Sequence, residues 1–187
     1  MKRQLGGVLV AGLALVITTA AHAQSATFGI GGGVVSPTSD YKNADNVGWH
    51  ALGIVNVKVP MSPVDVRVDG LYGLTTHKDI AGSPVDGNTK LFGGLASVVW
   101  KIETALPLVK PYVLAGGGMY HFKQTFPGTT GPSEVSETKF TWAAGGGAAL
   151  GVGPVRAFVE ARYARIQTSG TATKFIPVTA GVLFGSP

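Results

Sequence analysis

Two segments of the chain carry alternating charges, and these residues have the types and spacing that could support chemistry. If each segment is a β-strand, its charged side chains share one face, because side chains alternate across a strand with period two. The residues are Asp65, Arg67, Asp69, Arg156, Glu160 and Arg162. Carboxylates gathered in a cavity can serve as catalytic acids or bases. The structural alternative, which we favour, is that opposite charges neutralise one another in an interior where an unpaired charge is costly.

Other chemical motifs are missing from the sequence. His50, His77 and His121 are dispersed and lack the spacing of a metal site, and no Gly-x-Ser-x-Gly nucleophile elbow is present. The glycine clusters at 31–33, 116–118 and 145–147 lack the Lys-Ser/Thr that follows a phosphate-binding loop. The chain has no cysteine. We therefore predict no catalytic residues, no metal and no cofactor.

Residues 139–165 indicate how the charges are positioned. As two strands joined at 151–154, this segment has one face of charged and very small residues and one that is entirely apolar. The apolar face carries Phe140, Trp142, Ala144, Ala148, Leu150, Val155, Ala157, Val159, Ala161 and Tyr163. A soluble sheet would bury such a face against a second layer, and no segment has the pattern of that layer. The pattern favours a closed barrel whose apolar face meets lipid.

Eight strand-like runs follow one another, and the links between them alternate in length. The short links are 60–63, 103–110 and 151–154, and the long polar links are 36–47, 75–88, 123–138 and 167–173. A barrel with short turns at one rim and long loops at the other has this alternation. We predict an all-β fold, an eight-stranded antiparallel up-and-down transmembrane β-barrel. Which face of runs 90–101 and 111–122 points inward stays open, because apolar rows compete on both faces.

The composition agrees with this prediction. Of the 187 residues, 45% are hydrophobic and 13% charged, which excludes a disordered chain. The 28 glycines are about twice the average usage and suit crowded strands and turns. The net charge of +5 is scattered without basic runs, so we expect no nucleic-acid partner.

The N-terminus has the features of a secretory signal peptide. Lys2 and Arg3 precede an apolar stretch at 5–18, and Ala21-His22-Ala23 matches an A-x-A cleavage site. The stretch is shorter than the ~20 apolar residues that a membrane-spanning helix needs. We predict a signal peptide over 1–23, cleaved after Ala23, followed by the barrel over 24–187.

Strand register predicts which residues lie side by side inside the barrel. Across the turn at 60–63, Lys58 pairs with Asp65, Asn56 with Arg67 and Leu52 with Leu71. Across the turn at 151–154, Ala149 pairs with Arg156, Gly147 with Phe158 and Gly145 with Glu160. Each hairpin then places its charges on one inward face.

The third and seventh strands of an eight-stranded barrel lie on opposite walls, and the lumen is only wide enough for side chains to fill it. We therefore predict a network of charges that meet across the lumen. Its pairs are Asp65 with Arg156, Arg67 with Glu160 and Asp69 with Arg162, with Lys58 as a further partner of Asp65.

Aromatic residues recur near the ends of the runs, where amphipathic rings suit the membrane–water interface. We predict this interfacial position for Trp49, Trp100, Tyr112, Trp142 and Tyr163.

The signal peptide, the glycine-rich amphipathic runs, the penultimate run RAFVEARYAR and the closing FIPVTAGVLF resemble the small eight-stranded outer-membrane β-barrel family that includes the OmpX, OmpA-barrel and opacity-protein types. The resemblance covers essentially the whole mature chain. It implies a protein of a Gram-negative-type cell envelope, in contact with outer-membrane lipids and inserted by the barrel-assembly machinery. Phe184 matches the aromatic assembly signal of such chains, although Gly185, Ser186 and Pro187 follow it.

The resemblance implies a non-enzymatic barrel that supports the envelope or makes surface contacts, including adhesion. Binding would then lie in loops 36–47, 75–88 and 123–138, since loops on a rigid scaffold carry function. Two alternatives remain. A lipid-modifying barrel enzyme would need His77 or His121 to meet a serine or an acid at one rim. A soluble lipocalin-like barrel would need its large apolar residues inside.

Overall fold

Eight antiparallel strands close into a single barrel in the computed structural model. The structure describes residues 26–38, 46–76, 88–106, 108–126, 133–167 and 173–185. The strands are β1 (Ala26–Thr38), β2 (Gly48–Lys58), β3 (Val64–Thr76), β4 (Asn88–Lys101), β5 (Val109–Phe126), β6 (Ser133–Leu150), β7 (Val155–Ile166) and β8 (Thr173–Phe184). Each strand pairs with its neighbours in chain order, and β8 pairs with β1. The predicted fold class is confirmed.

The strands are staggered around the barrel. Following the paired residues once around from Phe28 leads back to β1 at Thr38, ten residues further along the same strand. A stagger of this kind tilts the strands relative to the barrel axis and leaves an interior just wide enough for side chains.

Alternating burial separates a lumen face from an outward face. Along β7 the even-numbered residues from Arg156 to Ile166 are buried, while Val155, Val159 and the other odd-numbered residues are exposed or half-buried. The same alternation shows which face of β4 points inward, which the sequence left open. Leu91, Leu95 and Val99 point into the lumen, whereas Phe92, Val98 and Trp100 point outward.

The short-turn rim holds one correct and one wrong register prediction. Lys58 pairs with Asp65, Asn56 with Arg67 and Leu52 with Leu71, as predicted. Between β6 and β7 the prediction is wrong by two residues. The observed partners are Ala149 with Phe158, Gly147 with Glu160 and Gly145 with Arg162.

The backbone at residues 151–154 explains the shift. The amide of Gly151 donates to the carbonyl of Leu108, so the chain stays beside β5 past the end of β6. Gly151 and Gly153 then adopt φ angles of 120° and 82°, which glycine reaches without strain. Val155 and Arg156 consequently pair with β8 only. A shift of two residues leaves every side chain on its predicted face, because the strand period is two.

The long-loop rim differs most from the prediction at 123–138. Residues 123–126 belong to β5 and 133–138 to β6, so only 127–132 lie between the strands, outside the described residues. Loop 36–47 is also shorter than predicted because β1 continues to Thr38, and loop 75–88 is shorter because β3 ends at Thr76 and β4 begins at Asn88. His77 lies outside the described residues.

Candidate functional site

An ion pair between β3 and β7 spans the centre of the lumen. Nη1 of Arg67 lies 2.5 Å from Oε2 of Glu160, and both side chains are almost inaccessible to solvent. Nε of Arg67 donates a hydrogen bond of 2.8 Å to Oδ1 of Asn56, the residue opposite Arg67 on β2. The third and seventh strands can meet in this way because an eight-stranded barrel is narrow. The structure therefore brings together this predicted pair, and it also brings together the predicted pair of Asp69 with Arg162.

A second pair lies one step towards the long-loop rim. Nη1 of Arg162 donates to both carboxylate oxygens of Asp69, at 2.8 and 2.9 Å. Nε of Arg162 also donates to Glu160, two residues earlier on the same face of β7. Arg162 thus joins the two ion pairs into one network of two arginines and two carboxylates, and its formal charges cancel.

Tyr112 takes part in this network, and the prediction that it lies at the membrane interface is wrong. Its hydroxyl donates to Oε2 of Glu160 at 2.8 Å, and Arg67 lies over its ring, 5.3 Å from the ring centroid. Gly147, directly opposite Glu160, makes room for this contact, because a Cβ there would come within 2.8 Å of the tyrosine oxygen. In the sequence, Tyr112 shares one face of β5 with Leu114, Gly116, Gly118 and Tyr120. The sequence did not show whether this face points into the lumen or towards lipid.

The charges near the short-turn rim are arranged differently from the prediction. Asp65 forms its ion pair with Lys101, with Nζ 2.7 Å from Oδ2. Lys58 lies opposite Asp65 in the ladder. Arg156 interacts electrostatically with Asp65, but its Nη2 donates to the carbonyl of Gly185 at 3.5 Å. Lys101 was missed because the long link between β3 and β4 hides their register in the sequence.

The half of the lumen nearer the long-loop rim is mainly apolar. Tyr120 and Phe175 pack edge to face with centroids 6.2 Å apart, and Ile166 and Leu91 are buried around them. His50 is buried at the border of this region and hydrogen-bonds Thr179 through Nε2 at 2.7 Å. The lumen thus has an apolar section near the long-loop rim and a charged section between it and the short-turn rim, and side chains fill both.

The charges at the centre of the lumen compensate one another. Asp69 and Glu160, the two carboxylates at the centre, are buried in ion pairs with arginine. Among the described residues, no cluster of histidine and acidic side chains could hold a metal ion. A lipid-modifying enzyme would need a histidine beside a serine or an acid at one rim. Among the described residues, His121 lies at the long-loop rim on the exposed surface, and its Nδ1 is 2.9 Å from Oγ1 of Thr138. In the described part of the chain no carboxylate orients this imidazole, as an acid–base pair would require.

The comparison with protein families decides what kind of barrel this is. The family model "Outer membrane protein beta-barrel domain" matches residues 8–184. The chain belongs to this outer-membrane β-barrel family. No curated protein sequence matches it.

Solved structures of outer-membrane barrels share the fold. Neisserial surface protein A aligns with a TM-score of 0.62 at 18% identity, covering 85% of this chain and 96% of that one. A major outer-membrane protein of Thermus thermophilus aligns with a TM-score of 0.61 at 12% identity, covering 88% and 100%. Ail, the attachment invasion locus protein of Yersinia pestis, aligns with a TM-score of 0.50 at 20% identity, covering 86% and 97%.

Between its two rims, the outward surface of this outer-membrane barrel is mainly apolar. Phe28, Ile30 and Phe92 are each more than half exposed there. A large apolar surface around the barrel and charges inside are the reverse of a soluble lipocalin-like barrel, so that alternative is wrong. No helix among the described residues is long and apolar enough to cross a membrane.

Aromatic rings mark both ends of the outward surface. Trp49 packs against Tyr72 with centroids 5.9 Å apart, and Trp142 packs against Tyr163 at 5.7 Å, both pairs towards the long-loop rim. Trp100 lies opposite Val64 at the short-turn end of β3. Apart from Tyr112, the predicted aromatics are therefore on the outward face, and their contact with the membrane interface stays a prediction.

Proposed function

We propose that the protein is a non-enzymatic outer-membrane barrel that presents a rigid β5–β6 hairpin at the cell surface for attachment, while its filled lumen stabilises the barrel. The observation that carries this proposal is the length of the hairpin. β5 and β6 have 18 residues each, whereas β4 has 14 and β2 has 11.

The hairpin extends beyond the strand on its β7 side. Its ladder is continuous from Val109 with Leu150 to Phe126 with Ser133. Pairing of β7 with β6 ends at Ile166 with Thr141, followed by one hydrogen bond from Gln167 to the carbonyl of Phe140. Among the described residues, 133–139 of β6 thus have a strand partner on the β5 side only.

Such an edge supports recognition of a partner. The N–H and C=O groups along a strand edge can pair with an extended segment of another protein, and the side chains beside them select it. Ser136, Glu137 and Thr138 are exposed on this part of β6. The predicted binding loop 123–138 is thereby replaced by a strand edge together with the connection at 127–132.

The lumen supports a non-enzymatic and non-conducting role. Arg67, Glu160 and Phe158 are each no more than 1% exposed, and Phe175 and Ile166 close the opposite half. The carboxylates at the centre are held by arginines, and no described nucleophile is aligned with a base and an orienting acid. A continuous water path would have to cross both filled sections.

The likeness to named surface proteins supports attachment as the role. Ail is described as an attachment invasion locus protein and the neisserial relative as a surface protein. At 18% and 20% identity, the likeness to these two proteins is one of fold alone. Attachment by this chain therefore belongs to the proposal.

The proposal includes export and assembly. The signal peptide over 1–23 would direct the chain through the inner membrane and be cleaved after Ala23, leaving the barrel over 24–187. Phe184 would serve as the aromatic signal for the barrel-assembly machinery. Its side chain is 43% exposed on the outward face, where it pairs with Phe28 and Val155.

The test is a shortened hairpin. Residues 121–138 are replaced by Asn-Gly, which removes the exposed Ser136, Glu137 and Thr138 and closes the ladder at Tyr120 with Lys139 through a two-residue turn. One control keeps the length but replaces 127–132 with Gly and Ser, and another replaces 39–45 in the same way. Cells displaying equal amounts of each barrel are scored for binding to animal cells, matrix proteins and sister cells.

We expect the shortened hairpin to reduce attachment to the level of cells without the protein, while the change at 39–45 leaves it unaltered. If replacing 127–132 also abolishes attachment, recognition lies at the tip of the hairpin. If only the shortened hairpin loses attachment, recognition lies along the strand edge. Undiminished attachment by the shortened barrel would contradict the proposal. Sensitivity of the cells to detergent, measured in parallel, reports envelope support separately.

A further inference from the structure

The cations of the described strands are distributed unequally between the two ends of the barrel. At the short-turn end they lie on the lumen side: Lys58 is opposite Asp65, Lys101 is paired with Asp65, and Lys110 is opposite the buried Ala149. At the long-loop end one cation, Lys139, shares the lumen-side face of β6 and pairs with Glu137, but four cations point outward. They are Lys90, Lys123, Arg165 and Lys174.

Two of these outward cations lie directly opposite each other. Arg165 of β7 pairs with Lys174 of β8, and on its other side with Trp142 of β6. Arg165 points outward because its neighbours Ala164 and Ile166 are both buried in the lumen. Three adjacent strands therefore present a row of Trp142, Arg165 and Lys174 at the outer edge of the apolar surface.

Directly opposed like charges destabilise a sheet unless something neutralises them. Within the part of the chain that the structure describes, neither Arg165 nor Lys174 forms an ion pair with a carboxylate. Asp69 and Glu160 are buried inside the barrel and hold Arg162 and Arg67 there. The neutralising anion for the outward pair must therefore come from outside these strands.

We propose that Arg165 and Lys174 bind the phosphate group of a lipid in the outer leaflet of the membrane. Their row lies where apolar surface gives way to the long-loop rim, the depth at which headgroup phosphates are found. The Trp142–Tyr163 pair lies beside it and offers amphipathic rings to the region between phosphate and acyl chains. Arginine binds phosphate with a planar fork of donors, and lysine adds a second point charge.

The same arrangement occurs elsewhere on the rim. Lys90 of β4 lies directly opposite Lys123 of β5, one step above Phe92 and His121. Both cation pairs are at the long-loop end and both lie above aromatic residues. Lys90 and Lys123 are thus a second pair of outward cations on the long-loop rim.

The site is tested with purified, folded barrel in mixed micelles of neutral detergent and phosphatidylcholine. The probe is lipid A carrying two phosphates, with dephosphorylated lipid A as the matched ligand, and lipid retained on the barrel is measured by native mass spectrometry. The variants are Arg165→Gln, Lys174→Gln and both together. Lys110→Gln is the control, since it removes an exposed cation at the opposite end.

Each cation near an anionic membrane surface contributes enough for about a fivefold change in affinity, so the double change should weaken binding about twenty-five-fold. Arg165→Lys should retain most of the affinity, and Lys110→Gln and the dephosphorylated lipid should show no such dependence. Equal binding by the double variant, or equal losses with dephosphorylated lipid, would overturn the proposal. Inorganic phosphate that binds Arg165 and Lys174 as tightly as phosphorylated lipid A does would also overturn it by identifying a site for free phosphate. Resistance of each variant to unfolding in cold SDS confirms that the barrel is intact.

Discussion

Neutralising Glu160 should destabilise the barrel more than any other single change in the lumen. Glu160→Gln removes the charge that Arg67 Nη1 approaches at 2.5 Å and weakens the acceptor of the Tyr112 hydroxyl. Arg162 keeps its paired bonds to Asp69, so the uncompensated charge falls on Arg67. Removing one partner of a buried ion pair costs about 3 to 5 kcal/mol. We expect a loss of that order in the free energy of unfolding.

The companion change separates the ion pair from the rest of the network. Arg67→Gln alone should cost less, because Glu160 still accepts from Arg162 and Tyr112. In the double variant both charges are gone, and the loss should fall short of the sum of the single losses by about 0.5 to 3 kcal/mol, the coupling typical of residues in contact. Glu160→Gln combined with Lys110→Gln should be additive.

The assay is urea-induced unfolding in phospholipid vesicles, followed by tryptophan fluorescence and analysed as a double-mutant cycle. The tryptophans are on the outward surface, and the substituted side chains are in the lumen, so fluorescence reports unfolding of the barrel as a whole. A coupling energy indistinguishable from zero between Arg67 and Glu160 would refute the pairing across the lumen.

Three further predictions concern the outward face, the tight packing and the topology. Val159→Arg, on the outward face, should destabilise the barrel by about 2 to 4 kcal/mol near the bilayer midplane, and vesicle unfolding that matches the wild type would place this face elsewhere. Gly33→Ala would put its Cβ 1.8 Å from a backbone oxygen and should cost about 1 to 3 kcal/mol, whereas Gly53→Ala meets nothing within 4 Å and should be nearly neutral by the same measurement. Proteinase K added to intact cells should cut within 127–132 and spare 102–108, as measured from the masses of the fragments. Cleavage at 102–108 alone would show that the barrel has the opposite orientation in the membrane.

The contrast between the two hairpins of the charge network shows what the sequence can predict. Register across 60–63 was correct because both strands stay paired up to Lys58 and Asp65, which lie two residues from the ends of this link. Register across 151–154 was wrong by two residues, since two glycines with positive φ and a hydrogen bond to β5 lengthen the connection. The error left the predicted faces intact, so the pairing of Arg67 with Glu160 survived.

The sequence predicted which side of a strand points into the lumen only where charge or residue size distinguishes the two sides. β4 has apolar residues on both faces and a lysine near each end, Lys90 on the outward face and Lys101 on the lumen face, so charge does not distinguish the two faces. β5 posed the same ambiguity, which is why Tyr112 was assigned to the interface rather than to Glu160. Lys101 was missed for a related reason, because its contact with Asp65 depends on a register that no short turn defines.

The length of β5 and β6 could not be predicted from hydrophobic pattern. Beyond the membrane surface a strand needs no apolar face, and the residues past His121 on β5 and before Lys139 on β6 are mostly polar. A polar composition is typical of loops. Here the two segments are complementary partners in one ladder, and their mutual backbone hydrogen bonds extend the strands.

Quenching of the natural tryptophans by brominated lipid tests the central claim most directly, namely that this barrel carries its charges inside and its apolar surface against lipid. Trp49, Trp100 and Trp142 are the protein's three tryptophans, and Trp49 and Trp100 are 51% and 58% exposed on the outward face. In vesicles of lipids brominated near the headgroup end of the acyl chain, we predict strong quenching of all three, measured in variants that retain one tryptophan each. Bromine near the chain ends should quench less, because the rings lie towards the two ends of the apolar surface. Emission that is insensitive to brominated lipid at either depth would contradict the account.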